Sequence, residues 1–205
     1  MAPTERYASQ RVTNILGKSR LGIIAGTGPL PRQIAERFDP KGKSIFFIAL
    51  EGITDPKTVF NFDHRWVKLG QLQIAIAALL EAKVDKVVMA GPVKRPALSS
   101  LKLDKRASKM LWRGGTKIFG DDGLLSLLIN EIEKDGLKVI GIDQILSDLL
   151  TEPDLNMGPD IDNVAQRDID RAIEILVKLG PADVGQSVAI QEGLVLAVEA
   201  IEGTD

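Results

Sequence analysis

Residues Lys43–Leu50, K-S-I-F-F-I-A-L, end in six consecutive apolar side chains. Side chains on a strand alternate between two faces, so such a run is buried on both. Parallel strands covered by helices on each side read this way. Similar strand-like runs recur at Leu21–Ala25, Arg65–Leu69, Val84–Ala90 and Leu137–Ile142. Helical stretches separate them at Leu30–Phe38, Gln71–Ala82 and Asp121–Lys134, with a short one at Asp143–Leu150. The third carries Leu124, Leu125, Leu127, Leu128, Ile129 and Ile132 as a helical stripe that Gly136 ends. Strands and helices alternating through short links predict an α/β fold with a parallel sheet, helices on both faces and right-handed crossovers. Residues 94–119 are mixed and basic, and give no clear element.

The expected architecture is Rossmann-like over residues 21–150, behind a loosely ordered extension at 1–20. Residues 151–163 carry two prolines, a glycine and several acids, and read as a linker. A helix follows at Val164–Leu179, capped by Asp162 or Asn163 and stopped by Gly180-Pro181. Two strand-like runs, Ser187–Gln191 and Leu194–Ala200, join near Glu192-Gly193 as a hairpin. Residues 164–205 thus form the beginning of a second, incomplete α/β domain, too small for an independent core.

Composition excludes several classes. The 205 residues carry a formal net charge of -2, unlike the basic domains that bind nucleic acid. With no cysteine and one histidine, thiolate chemistry and Cys- or His-rich metal sites are excluded. Any metal is held by oxygen, which suits magnesium, manganese or calcium. No apolar run approaches the roughly 20 residues needed to span a bilayer, and residues 1–20 lack a signal-peptide core.

Four segments carry candidate chemistry. Gly26-Thr27-Gly28, followed by Pro29 and Pro31, makes a strand–turn–helix junction of the kind that takes phosphate oxygens on backbone N–H groups. It does not spell the dinucleotide fingerprint, because Pro31 stands where the third glycine belongs; nicotinamide-dependent oxidoreduction is therefore disfavoured. Gly91, Pro92, Val93, Lys94 and Arg95 follow the Val84–Ala90 strand, placing positive charge at the sheet edge where ligands sit. Asp121 and Asp122 open the leucine-rich helix, where one serves as an N-cap and the pair could hold a cation. In the C-terminal run, Glu199 lies inside L-V-L-A-V-E-A, where a carboxylate needs a partner or a cation. Gln186, Glu192, Thr204 and Asp205 accompany it. His64 reads as a surface or capping residue. Trp66 and Trp112 read as packing residues, although Trp112 beside Arg113 could lie along a lipid or base.

Taken together, L-G-I-I-A-G-T-G-P-L-P, M-A-G-P-V-K-R-P, G-D-D-G-L-L and D-V-G-Q-S-V-A-I-Q-E-G-L-V-L-A-V-E-A-I-E-G-T-D resemble the LpxI-type UDP-2,3-diacylglucosamine diphosphatases of lipid A synthesis. The resemblance spans about residues 21–205. Thr27 replaces the middle glycine of the family's A-G-G-G-x-L-P, a mild departure because threonine can still present its backbone N–H. The resemblance implies a Mg2+- or Mn2+-dependent hydrolase that splits UDP-2,3-diacylglucosamine into UMP and lipid X. It is expected in the cytoplasm, at most peripheral to the inner membrane through its lipid substrate, with a homodimer possible. It makes Asp121, Asp122 and Asp205 catalytic candidates, and Asp205 and Glu199 metal candidates. Gly26, Thr27, Gly28, Gly91, Pro92, Val93, Lys94, Arg95, Gln186, Glu192 and Thr204 become substrate-binding candidates. Family members continue beyond E-G-T-D, so the expectation is a second domain lacking its C-terminal part. A non-catalytic nucleotide-sugar or lipid X binding module is the alternative.

Overall fold

The computed structural model describes residues 20–39, 42–94, 101–115, 121–146, 158–182 and 184–200. Five parallel strands form the main sheet: β1 (Arg20–Ala25), β2 (Ile45–Leu50), β3 (His64–Val67), β4 (Val84–Ala90) and β5 (Lys138–Val139). Their order is β3-β2-β1-β4-β5. The chain therefore steps outward from β1 to β3, then returns to the other side of β1. The order reverses between β1 and β4, and the crevice outside their carboxyl ends is where open α/β sheets bind ligands. Helices α1 (Leu30–Phe38), α2 (Pro56–Val59), α3 (Leu72–Glu81) and α4 (Lys105–Gly114) complete this part, with the portion of α5 (Asp121–Glu133) from Ser126 on.

Strand alternation builds two cores, one on each face. Leu21, Ile23 and Ala25 of β1 join Ile45, Phe47 and Ala49 of β2 beneath Ile34 and Ala35 of α1 and Val59 of α2. On the other face, Ile48, Leu50, Val67, Val84 and Val87 pack against Ala75, Ile76, Ala78 and Leu79 of α3 and Ile132 of α5. Gly22 lets α3 approach closely, since a Cβ there would lie 2.6 Å from Leu79 Cδ2. The α/β reading with helices on both faces is what the structure shows.

Three local readings change. The basic stretch without a clear element contains α4, capped by Asp104, whose carboxylate accepts from Ala107 N at 2.8 Å. The run Leu137–Ile142 pairs only at Lys138–Val139 against Lys86–Val87. Leu137 and Ile140 are apolar because they are buried, not because they extend the ladder. The expected helix from Asp143 is a 3-10 turn over Ile142–Gln144, and residues 147–150 lie outside those described.

Packing divides the chain into two units, Met1–Gly115 with Ser126–Glu152, and Thr116–Leu125 with Pro153–Asp205. The second unit contains α6 (Asn163–Leu179) and an antiparallel hairpin of β6 (Val188–Gln191) and β7 (Leu194–Val198). Asp162 caps α6 by accepting from Val164 N at 2.9 Å and Ala165 N at 2.8 Å. Among the described residues, no helix is long and apolar enough to cross a membrane.

Candidate functional site

The two glycine turns of the first unit meet at the crevice between β1 and β4. Gly26 N–H donates to Ala90 O at 2.8 Å, and Thr27 N–H to Pro92 O at 2.9 Å. The Thr27 hydroxyl donates to the same carbonyl at 3.0 Å. A Cβ on Gly26 would overlap the Gly91 carbonyl, and one on Gly91 would overlap the Thr27 carbonyl. Gly91 also holds φ at +84°, a left-handed conformation that glycine adopts without strain. These two glycines are therefore required by the fit of one turn against the other.

That fit corrects one expectation. The Thr27 N–H is not presented to a ligand, because Pro92 O takes it; the Gly26 N–H is taken likewise by Ala90 O. The open part of the turn is Gly28. Its φ is +82°, and a Cβ there would meet nothing within 4 Å. Next comes α1, which has no side-chain cap and has proline in its first turn. The N–H groups of Leu30 and Arg32 are the first-turn donors left to water or an anion. Val93 and Lys94 stand exposed on the facing turn.

The turn is held from below by a residue that sequence reading missed. Thr54 is buried; its hydroxyl donates to Ala25 O at 2.6 Å and accepts from Leu50 N at 2.8 Å. It thereby ties the end of β2 to the end of β1, one residue before the turn. Beside Gly28 a groove of about 420 Å³ runs between α1 and α2, lined by Arg32, Gln33, Glu36, Asp55, Lys57 and Thr58. Arg32 fixes its walls, donating to Glu36 Oε1 at 2.7 Å and to Lys57 O at 2.6 Å. A larger cavity of about 570 Å³, lined by Arg20, Phe46, His64 and Trp66 among others, lies where β1 and β3 begin, away from the strand carboxyl ends. His64 is exposed as expected, its Nδ1 2.8 Å from Phe62 O. Trp66 packs against the first core. Trp112 does not pack: it is 86% exposed, because Ala107 and Met110 face inward while Trp112 lies on the outer side of α4.

In the second unit the candidates fall at the two ends of the hairpin. At the open end, Glu199 Oε2 accepts from Gln186 N at 2.8 Å, and Glu199 N donates to Ser187 O at 3.0 Å. The acid that seemed to need a cation thus has a backbone amide as its partner. At the turn, Glu192 and Gly193 both adopt positive φ, +51° and +79°. Asp168 of α6 holds them, accepting from Glu192 N at 2.8 Å and Gly193 N at 2.6 Å. Nothing in the spacing of Asp168 announces this role. Gln186 and Glu199 are brought together, and Glu192 is separated from them by the length of β6.

Asp121 and Asp122 are the first residues of α5, with side chains outside those described; Arg95, Thr204 and Asp205 also lie outside them. Among the described residues, no three histidine, aspartate or glutamate side chains converge on a possible metal position. The candidate donors are carboxylate oxygens, the chemistry magnesium takes, but the described ones do not complete a site.

Residues 20–149 match the family model described as the LpxI N-terminal domain, and residues 155–205 the LpxI C-terminal domain. A protein of Caulobacter vibrioides named UDP-2,3-diacylglucosamine pyrophosphatase LpxI is 35% identical over 192 residues, which cover 91% of this chain. The chain spans 66% of that relative's length.

Proposed function

Because the chain belongs to the LpxI family, we propose that it hydrolyses the diphosphate of UDP-2,3-diacylglucosamine to UMP and lipid X, a step of lipid A and lipopolysaccharide synthesis. The observation that carries this reading is the 35% identity to the Caulobacter pyrophosphatase along nearly the whole chain. The crevice supports it. Gly28 and the uncapped first turn of α1 offer N–H donors to phosphate oxygens, and Lys94 and Arg95 offset their charge. Interactions of this kind stabilise the charge that accumulates on a phosphorus centre under attack. Gln186, Glu192 and Thr204 are the proposed substrate contacts of the second unit.

The reading includes Mg2+ or Mn2+. Asp205 and Glu199 are its proposed holders, and Asp121, Asp122 and Asp205 the proposed catalytic acids. A bound divalent ion supplies neutralisation of the diphosphate and activation of water. The same reading puts the chain in the cytoplasm, at most peripheral to the inner membrane through its lipid substrate, with a homodimer possible and no nucleic-acid partner.

The test is UMP release from UDP-2,3-diacylglucosamine by the 205-residue chain with Mg2+, repeated with EDTA and with Lys94→Ala. Turnover that EDTA abolishes and Lys94→Ala lowers supports hydrolysis at this crevice. One observation favours a second reading: Glu199, a proposed metal holder, is engaged with Gln186 N. Saturable binding of UDP-2,3-diacylglucosamine with no turnover would replace the hydrolase by a nucleotide-sugar-lipid binding module.

A further inference from the structure

The outward face of α4 carries three cations and one aromatic ring. Lys105, Lys109, Trp112 and Arg113 follow the spacing i, i+4, i+7 and i+8, which places them together on one side of a helix. All four are exposed. The inward side carries Ala107, Met110 and Gly114, all buried. The acids nearest α4 are already committed. Asp104 accepts from Ala107 N and from Gln73 N at 2.6 Å. Glu131 and Asp135 are paired with Arg106, and Glu131 also with Lys134. Lys105, Lys109 and Arg113 thus form a cationic cluster without an ion-pair partner among the described residues, on a chain whose net charge is -2. The indole of Trp112 stands among them in water, at 86% exposure.

We propose that this face of α4 is a docking surface for an anionic lipid bilayer. Charge complementarity selects the occupant. Each lysine or arginine held at an anionic membrane surface strengthens binding about fivefold, and screening weakens the effect as salt rises. An exposed indole suits the headgroup level, where its apolar body and polar N–H are both satisfied. Cations attracted to anionic lipid and one inserted aromatic ring combine the electrostatic and apolar contributions to surface binding. The inference does not depend on hydrolysis: it concerns the bilayer surface, not the lipid substrate in the crevice.

The test is flotation of the 205-residue chain with vesicles of phosphatidylcholine alone and of phosphatidylcholine with phosphatidylglycerol. Binding to the anionic vesicles only, weakening with salt, is expected. Lys105→Glu with Lys109→Glu should weaken it by more than about twentyfold, and Trp112→Ala by several-fold, with circular dichroism and melting unchanged because all three side chains are exposed. Brominated lipid should quench Trp112 emission in a Trp66→Phe background. Equal binding to neutral vesicles, no binding at low salt, or full binding by the double variant would each overturn the proposal. So would Trp112→Ala dissociating an oligomer while leaving vesicle binding intact, which would make this face a protein interface.

Discussion

The two units hold their structure by different means. In the first, Phe47, Leu21, Ile23, Ile76 and Leu79 are fully enclosed between sheet and helices. In the second, α6 buries no residue, and Val177 and Leu194 are 69% and 67% exposed. What defines that unit is a set of polar clasps: Asp162 on the helix start, Asp168 on the hairpin turn, Glu199 on Gln186. Burial removes apolar area from water and is the larger stabilising effect. A hydrogen bond exchanges water for protein and contributes about 1 kcal/mol net. The first unit's fold is therefore set by its core, the second unit's by local geometry.

The sharpest break of that comparison is a pair of truncations. Phe47→Ala should cost about 3–5 kcal/mol, the usual loss for an enclosed aromatic side chain. Ile173→Ala should stay within about 0.5 kcal/mol, because the isoleucine is mostly exposed and alanine favours helix. Chemical denaturation measures both. An Ile173→Ala loss comparable to that of Phe47→Ala would mean that the α6 face is covered in solution.

A second pair separates fitted from open glycine within the crevice. Gly91→Ala combines left-handed strain with overlap of the Thr27 carbonyl, and each of these costs about 1–3 kcal/mol. Gly28→Ala meets open space and carries only the strain, about 1 kcal/mol. If Gly28 is the ligand-facing member, its variant should lose UDP-sugar binding out of proportion to its stability. Equal melting losses for the two variants would contradict the packing role assigned to Gly91.

Much of the first unit was legible because its signals are local. An unbroken apolar run marked β2, the Val87–Ala90 run marked β4 despite Asp85 and Lys86, and Gly26 and Gly91 marked the turns that meet. The outlying readings have a common cause. Thr54, Asp168 and Glu199 act on atoms 29, 25 and 13 positions away, so no spacing near them records their partners. The hidden helix α4 buries only a narrow apolar strip, too thin a stripe to stand out among its cations. Trp112 misled because a large aromatic suggests packing by default, whereas its helix face places it in water.

Acid titration probes an ionic tie inside the first unit. Glu131 is buried, and its carboxyl is held below the usual glutamate range, first by the hydrogen bond from Lys134 and then by Coulombic attraction to Lys134 and by Arg106, against the opposing effect of burial. A lowered folded-state value means that stability is complete above the unfolded value of about 4.3 and is lost as pH falls through the folded one. Glu131→Gln should remove that part of the acid-limb slope while leaving the slope above pH 6 unchanged. A variant with the wild-type slope below pH 4.3 would show that Glu131 contributes nothing to acid sensitivity.

The smallest effect is expected from the clasp that defines the hairpin. Asp168→Ala removes the acceptor for both Glu192 N and Gly193 N. These amides are exposed, so water replaces the carboxylate and the loss should be about 1 kcal/mol. It should also be local. Glu192 sits at φ +51°, a conformation that non-glycine residues hold only when their surroundings impose it. Without Asp168, hydrogen exchange should speed up at Glu192, Gly193 and the β6–β7 ladder, while amides of β1, β2 and β4 keep wild-type protection. Replacing Glu192 by glycine in the same background should recover part of the loss by relieving the turn. Faster exchange in β1 or β4 would show that the two units unfold together, and that the second does not rest on its clasps alone.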